Sequence, residues 1–139
     1  MGFERFGIVN YTKETKVADF VKYLDEGKVM GTQCTKCKAK YFPPRADCPA
    51  CLSNSFEWIE MTGKGKLITF VNVNYGPIGF EDKAPYTLGI VDFGGSLQAL
   101  APLSKDIKKE SVSIGMNLEI KPIPLKDGRL SYEFNAVKQ

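Results

Sequence analysis

The chain has 139 residues, a formal net charge of +3, 43% hydrophobic residues and 25% charged residues. Those values fit one compact fold, or a small module joined to one, and they exclude a disordered chain or a strongly basic nucleic-acid arm. It contains no histidine and only four cysteines. A Ser-His-Asp triad, a Cys-His dyad, a histidine general base and a His-ligated catalytic metal are therefore all excluded within it.

Residues 1–10 carry Glu4 and Arg5 and lack the apolar run of a secretory leader. The apolar stretches further on are strand-length, so no membrane span is expected. The expected location is the cytoplasm, where thiols stay reduced and paired cysteines more often hold metal than form disulfides. The first element is a helix: Val17, Phe20, Val21 and Leu24 fall at i, i+3, i+4 and i+7. Thr15 is the expected N-cap and Gly27 the expected stop. Two uses are open for its apolar stripe, packing on its own fold or docking on a partner.

Residues 29–61 hold all four cysteines and the stretch Tyr41-Phe42-Pro43-Pro44-Arg45. Residues 62–139 read as β-structure. Segments 67–75, 86–93 and 97–103 are rich in strand formers. Leu118 and Ile120, then Leu130, Tyr132, Phe134 and Ala136, alternate with polar residues. Gly94-Gly95 and Lys126-Asp127-Gly128 mark hairpin turns. Pro122 and Pro124 would leave ladder positions without an N–H, so that strand is expected to lie at an edge or to end near Lys121. Five strands bent at glycines predict a small closed barrel, of which the OB-fold is the commonest kind. The expected organisation is an N-terminal helical segment (1–28), a ribbon (29–61) and a barrel (62–139).

Cys34-x-x-Cys37 and Cys48-x-x-Cys51 form two knuckles separated by ten residues. Each knuckle turns two sulfurs toward one centre, and two knuckles supply a closed tetrahedron of thiolates. Such a set suits zinc in a structural role, because no coordination position remains for water or substrate. Redox pairing is the competing use; iron in a rubredoxin-like carrier would have no need of an added barrel. A region with few large apolar residues would draw much of its folding free energy from the metal. Tyr41, Phe42 and Trp58 are expected to pack around it. Four thiolates and a divalent zinc would lower the formal charge from +3 to +1.

The series Cys-x-x-Cys, Tyr41-Phe42-Pro43-Pro44-Arg45, Cys-Pro-x-Cys, Trp58, Gly63-x-Gly65-x-Leu67, Pro85-Tyr86 and Gly115-Met116 resembles the zinc-ribbon/OB-fold acyl-CoA-associated family. Lys38 departs from it, standing where a glycine often follows the first knuckle. The resemblance implies a rubredoxin-like ribbon and a five-stranded OB barrel in a non-catalytic accessory subunit. The implied partner is a thiolase-fold enzyme in a hetero-oligomer, with CoA or acyl-CoA shared between the two. The N-terminal helical segment is most similar to small subunits of benzoylsuccinyl-CoA thiolases, enzymes of anaerobic toluene degradation.

The residues agree with a partner role: Claisen chemistry needs a nucleophilic cysteine and acid/base groups, and none is to spare. A CoA site needs cations for phosphates and apolar walls. The connection between the first two barrel strands carries Tyr75, Phe80, Lys83 and Tyr86. The densest basic cluster is Lys36, Lys38, Lys40 and Arg45, from which Lys40 and Arg45 join the candidate CoA or partner contacts. A plain loop and a solvated ribbon face are the alternatives for these two groups. Zinc ribbons and OB barrels also serve single-stranded nucleic acid, with aromatics stacking on bases. Ten basic against eight acidic residues from Gly63 onward make a nearly neutral barrel, so no nucleic-acid partner is expected.

Overall fold

A computed structural model describes residues 2–8, 10, 12 and 14–137. Helix α1 spans Asp19–Asp25. Phe20, Val21 and Leu24 are buried on one of its faces, as the stripe predicts. The packing is on the chain itself: the Phe20 ring meets Phe6, Phe42 and Tyr132 at centroid distances of 5.3, 6.3 and 6.2 Å. Gly27 ends the helix with a positive φ of 85°, and the Lys28 N–H returns to the Tyr23 carbonyl at 2.8 Å. Thr15 is not the N-cap. Ala18 takes that position, because the Thr15 hydroxyl and carbonyl close a separate turn by accepting from Val17 and Ala18.

Strands β1 (Met30–Cys34), β2 (Lys40–Tyr41) and β3 (Phe56–Glu60) form an antiparallel sheet in the order β2-β1-β3. Thr32 at its centre is fully buried. Its hydroxyl donates to the Arg45 carbonyl at 3.0 Å and accepts from the Arg45 N–H at 2.9 Å. One side chain thus ties the Pro43-Pro44-Arg45 crossing to β1. Trp58 packs between Phe56 and Tyr23 of α1. Phe42 leaves the ribbon and packs on Phe20 and Tyr132, because the apolar surface it can bury lies between helix and barrel.

The second sheet holds β4 (Gly65–Val73), β5 (Tyr86–Asp92), β6 (Gln98–Pro102), β7 (Asn117–Pro124) and β8 (Leu130–Ala136), in the order β6-β5-β4-β7-β8. A bulge between Leu67 and Thr69 bends β4, so its start pairs with β7 and its whole length with β5. A parallel bridge between Leu103 and Phe134 joins the end of β6 to β8, and the Ser104 N–H donates to the Phe134 carbonyl at 2.8 Å. The result is the five-stranded OB-like barrel expected from the sequence. Leu67, Val91, Leu103, Leu118, Ile120 and Phe134 fill it. Gly89 lets the strands close, since a Cβ there would lie 2.8 Å from a methyl of both Leu67 and Leu103. Strand β7 runs through both prolines rather than ending near Lys121. Only Gly65 and Lys66 of β4 pair with it, at Leu118 and Asn117, so Pro122 and Pro124 interrupt no ladder on that side.

The N-terminal segment is strapped to the barrel. Phe6 bridges Leu130. Arg129 donates to the carbonyls of Glu4, Asn10 and Gly7 at 2.9, 3.2 and 3.4 Å, and Arg5 grips Asp25 through two hydrogen bonds. Among the described residues no helix is long and apolar enough to cross a membrane.

Candidate metal centre and barrel-end cleft

The sulfur atoms of Cys34, Cys37, Cys48 and Cys51 all lie within 4.8 Å of one another. The Cys34–Cys51 and Cys37–Cys48 pairs are 3.5 Å apart. A tetrahedron with zinc–sulfur bonds of about 2.3 Å needs sulfurs about 3.8 Å apart, so the four fit a zinc ion. The two knuckles repeat one geometry. Lys38 N–H returns to the Cys34 carbonyl at 2.9 Å, and Leu52 N–H to the Cys48 carbonyl at 2.8 Å. Lys38 and Leu52 accordingly have positive φ angles of 67° and 62°. This left-handed position is the one where Lys38 replaces the family's frequent glycine, and a lysine occupies it at a backbone cost.

The chemistry around the sulfurs favours the thiolate at Cys34 and Cys48 and opposes it at Cys37. The Tyr41 hydroxyl lies 3.2 Å from Cys48 Sγ. That bond, helped by the backbone N–H groups of Cys51 and Ala50, pulls the Cys48 thiol down to about 6. It also holds the Tyr41 phenol up at about 12. Cys34 is lowered chiefly by the Cys37 N–H. The Ala39 N–H works in the same direction on Cys37, but neighbouring Cys48, Cys51 and Cys34 together with burial outweigh it and raise Cys37 to about 12. Four clustered thiolates therefore need a cation, and a divalent metal supplies the missing charge. The centre is a closed four-cysteine structural zinc site. Tyr41 is the outer partner that the Cys-x-x-Cys spacing does not reveal.

The remaining candidate residues fall into two places. Tyr75, Phe80, Lys83 and Tyr86 lie on or beside the β4–β5 connection. Tyr75 is 89% exposed, Phe80 and Tyr86 pack as a tilted pair with centroids 6.3 Å apart, and Lys83 is half-buried. The loop is braced by bonds from Gly79 N–H to the Glu81 carboxylate and from Phe80 N–H to the Pro77 carbonyl, both 2.8 Å. Arg45 stays on the ribbon with its guanidinium over the Tyr41 ring at 5.7 Å. Lys40 Nζ would be 3.7 Å from a Cβ on Gly95, in the β5–β6 hairpin. Tyr86 and Gly95 lie at opposite ends of β5, whose seven residues span roughly 20 Å. Lys40 and the loop therefore do not converge on one site.

A cleft of about 330 Å³ opens instead at the loop's end of the barrel, with Tyr86, Lys105, Lys108 and Lys109 in its lining. The three lysines sit in the β6–β7 connection. The cue in the sequence is Lys105-x-x-Lys108-Lys109, which begins at the third residue after β6; only the fold joins it to Tyr86.

A rubredoxin-like four-cysteine ribbon ahead of an OB barrel defines a two-part zinc-ribbon/OB-fold protein. The profile described as the ChsH2 rubredoxin-like zinc ribbon domain matches residues 21–57, and that of the ChsH2 C-terminal OB-fold domain matches residues 58–121. The chain belongs to this ChsH2 (DUF35) family. It is 37% identical over 92 residues to a DUF35 domain-containing scaffold protein of Methanocaldococcus jannaschii, covering 66% of this chain and 64% of that one. It is 34% identical over 73 residues to benzoylsuccinyl-CoA thiolase subunit BbsA of Thauera aromatica, covering 52% of this chain and 49% of the relative. The fold matches the structure titled Ltp2-ChsH2(DUF35) aldolase with a TM-score of 0.73 at 20% identity, over 91% of this chain and 98% of that one.

Proposed function

We propose that the chain is a non-catalytic accessory subunit of a thiolase-like acyl-CoA acyltransferase, which it binds and whose acyl-CoA site it helps to form. One observation carries the reading: the chain has no histidine, and all four of its cysteines lie in a single closed metal tetrad. It thus retains no nucleophile–base pair for acyl transfer and must borrow one. Its relatives include a scaffold protein and a thiolase subunit by name, and its structural neighbour is titled as an aldolase. Within this reading the partner's cysteine performs the transfer. The barrel loops wall the CoA channel, and the ribbon sets the angle between helix and barrel. Benzoylsuccinyl-CoA is the finer candidate substrate, the cytoplasm is the setting, and segments 1–28, 29–61 and 62–139 are the working parts.

Nucleic-acid binding is not part of the reading. The outward side chains of β4–β6 in the middle of the sheet are Thr69, Val71, Leu88, Ile90, Leu100 and Pro102, aliphatic but for one threonine. They supply neither stacking rings nor phosphate partners. The test is affinity capture with the tagged, zinc-loaded chain, followed by an acyl-transfer assay of the captured enzyme with and without it. Recovery of a thiolase-fold enzyme whose acyl-CoA turnover depends on this chain is the expected result. Capture of no such enzyme, with salt-sensitive binding of single-stranded nucleic acid, overturns the proposal.

A further inference from the structure

We infer that the barrel-end cleft is a binding site for an organic phosphate of the nucleotide class, with Lys105, Lys108 and Lys109 as its cationic rim. Three lysines within five residues line one concavity. None of the three makes an ion pair with a described residue. The side chain of Lys105 is instead anchored at the site, with its Nζ donating to the Lys83 carbonyl at 3.2 Å. The acids of the same segment, Asp106 and Glu110, do not line the cleft. Uncompensated cations at this density call for a ligand with two or more negative charges, which a phosphate ester or diphosphate carries and a single carboxylate does not.

The rest of the lining selects the body of that ligand. Ile107 and Val112 give an apolar wall, and the Tyr86 ring, packed at a tilt against Phe80, gives a flat one. Asn72 and Asn74 add side-chain amides suited to the edge of a heterocycle. A volume of about 330 Å³ accepts the head of a nucleotide rather than a folded protein segment. The ribbon lysines have no comparable concavity: Lys36 and Lys38 are exposed knuckle residues, and Lys40 lies at the far hairpin. The shared ligand chemistry is a phosphorylated nucleoside. It has two sources, a free nucleotide or the nucleotide end of CoA, and in the CoA form the inference rests on the accessory-subunit reading.

The test titrates the zinc-loaded full chain with CoA, ADP and pantetheine, followed by calorimetry and amide chemical shifts. ADP and CoA are expected to bind and to shift residues 103–112, while pantetheine, which lacks phosphate, does not. Binding by CoA with a clearly higher affinity than ADP assigns CoA as the source; equal affinity assigns a free nucleotide. Replacing Lys108 and Lys109 together with alanine should weaken binding by about tenfold or more. Lys36→Ala with Lys40→Ala should leave it within about twofold. Higher salt should weaken it in the parent chain. Absence of binding by either phosphate ligand overturns the inference, as does equal loss in the two double variants. Partner capture by the lysine variants keeps the two readings apart. Retained capture without nucleotide binding removes only this inference, whereas bound nucleotide without any enzyme partner removes only the accessory role.

Discussion

The ribbon and the barrel are both antiparallel β-structures built from five-to-nine-residue strands and one two-residue rung, yet different forces hold them. In residues 30–60 the buried side chains are Met30, Thr32, Cys34 and Cys48. That is one ordinary hydrophobe, one hydrogen-bonded threonine and two metal ligands. The barrel buries Leu67, Val91, Leu97, Leu103, Leu118, Ile120, Tyr132 and Phe134, several of them completely. At about 25 cal/mol per Å² of apolar surface, the barrel can meet the entropy of ordering its chain, and the ribbon cannot without its metal. The contrast explains why Phe42 leaves the ribbon: its ring gains more against Phe20 and Tyr132 than beside the sulfurs. It also separates roles, since the ribbon's closed centre can only hold shape while the open cleft lies on the barrel.

The largest expected effect comes from replacing Cys34 and Cys48 together with serine. Structural zinc contributes about 10–16 kcal/mol in zinc-finger peptides, so the ribbon should unfold and partner capture should be lost. Metal analysis and amide exchange check this, and a double variant that stays folded and captures its partner would break the contrast. Phe134→Ala attacks the other region. A fully buried ring beneath the barrel closure should cost about 3–5 kcal/mol in denaturant unfolding, with the zinc content unchanged in the folded protein. Tyr41→Phe keeps all four ligands but removes the hydroxyl on Cys48. Zinc affinity should fall about 10–100-fold. The sign follows from the Cys48 thiol, which that bond pulls down to about 6. Without it protons compete better for the sulfur, so a chelator titration should show zinc released at a higher pH than in the parent. Lys38→Gly is the smallest. Relief of the left-handed backbone, worth about 1–2 kcal/mol, is partly offset by the flexibility of unfolded glycine, about 0.5–1 kcal/mol. The net stabilisation of about 1 kcal/mol or less should appear as a slightly higher chelator concentration for ribbon unfolding.

Much of this molecule can be read locally. The stripe Val17, Phe20, Val21 and Leu24 locates α1 because a helix repeats every 3.6 residues, and the alternation through Leu130, Tyr132 and Phe134 locates β8 because a strand repeats every two. Thr15 misleads because a hydroxyl can close a short turn as readily as cap a helix, and the choice depends on packing several residues away. Pro122 and Pro124 mislead in part because their cost depends on whether a neighbouring strand needs an N–H there. β4 bends away at its bulge before that question arises.

The candidate site divides along the same line. Cys34, Cys37, Cys48 and Cys51 are legible at once, since each knuckle's geometry is made by consecutive residues and the ligand type belongs to the side chain. Tyr41 as a thiolate partner is not, because its approach to Cys48 depends on how the crossing Pro43-Pro44-Arg45 is tied down by Thr32. Nor is the separation of Lys40 from Tyr86, which is set by the length of β5. The meeting of Lys105, Lys108 and Lys109 with Tyr86 requires the barrel to close at Leu103 and Phe134. Composition and short-range spacing therefore establish a zinc ribbon, a β-barrel and a chain without histidine. The placement of its cations and rings rests on contacts between residues distant in the chain, which no local period or motif encodes.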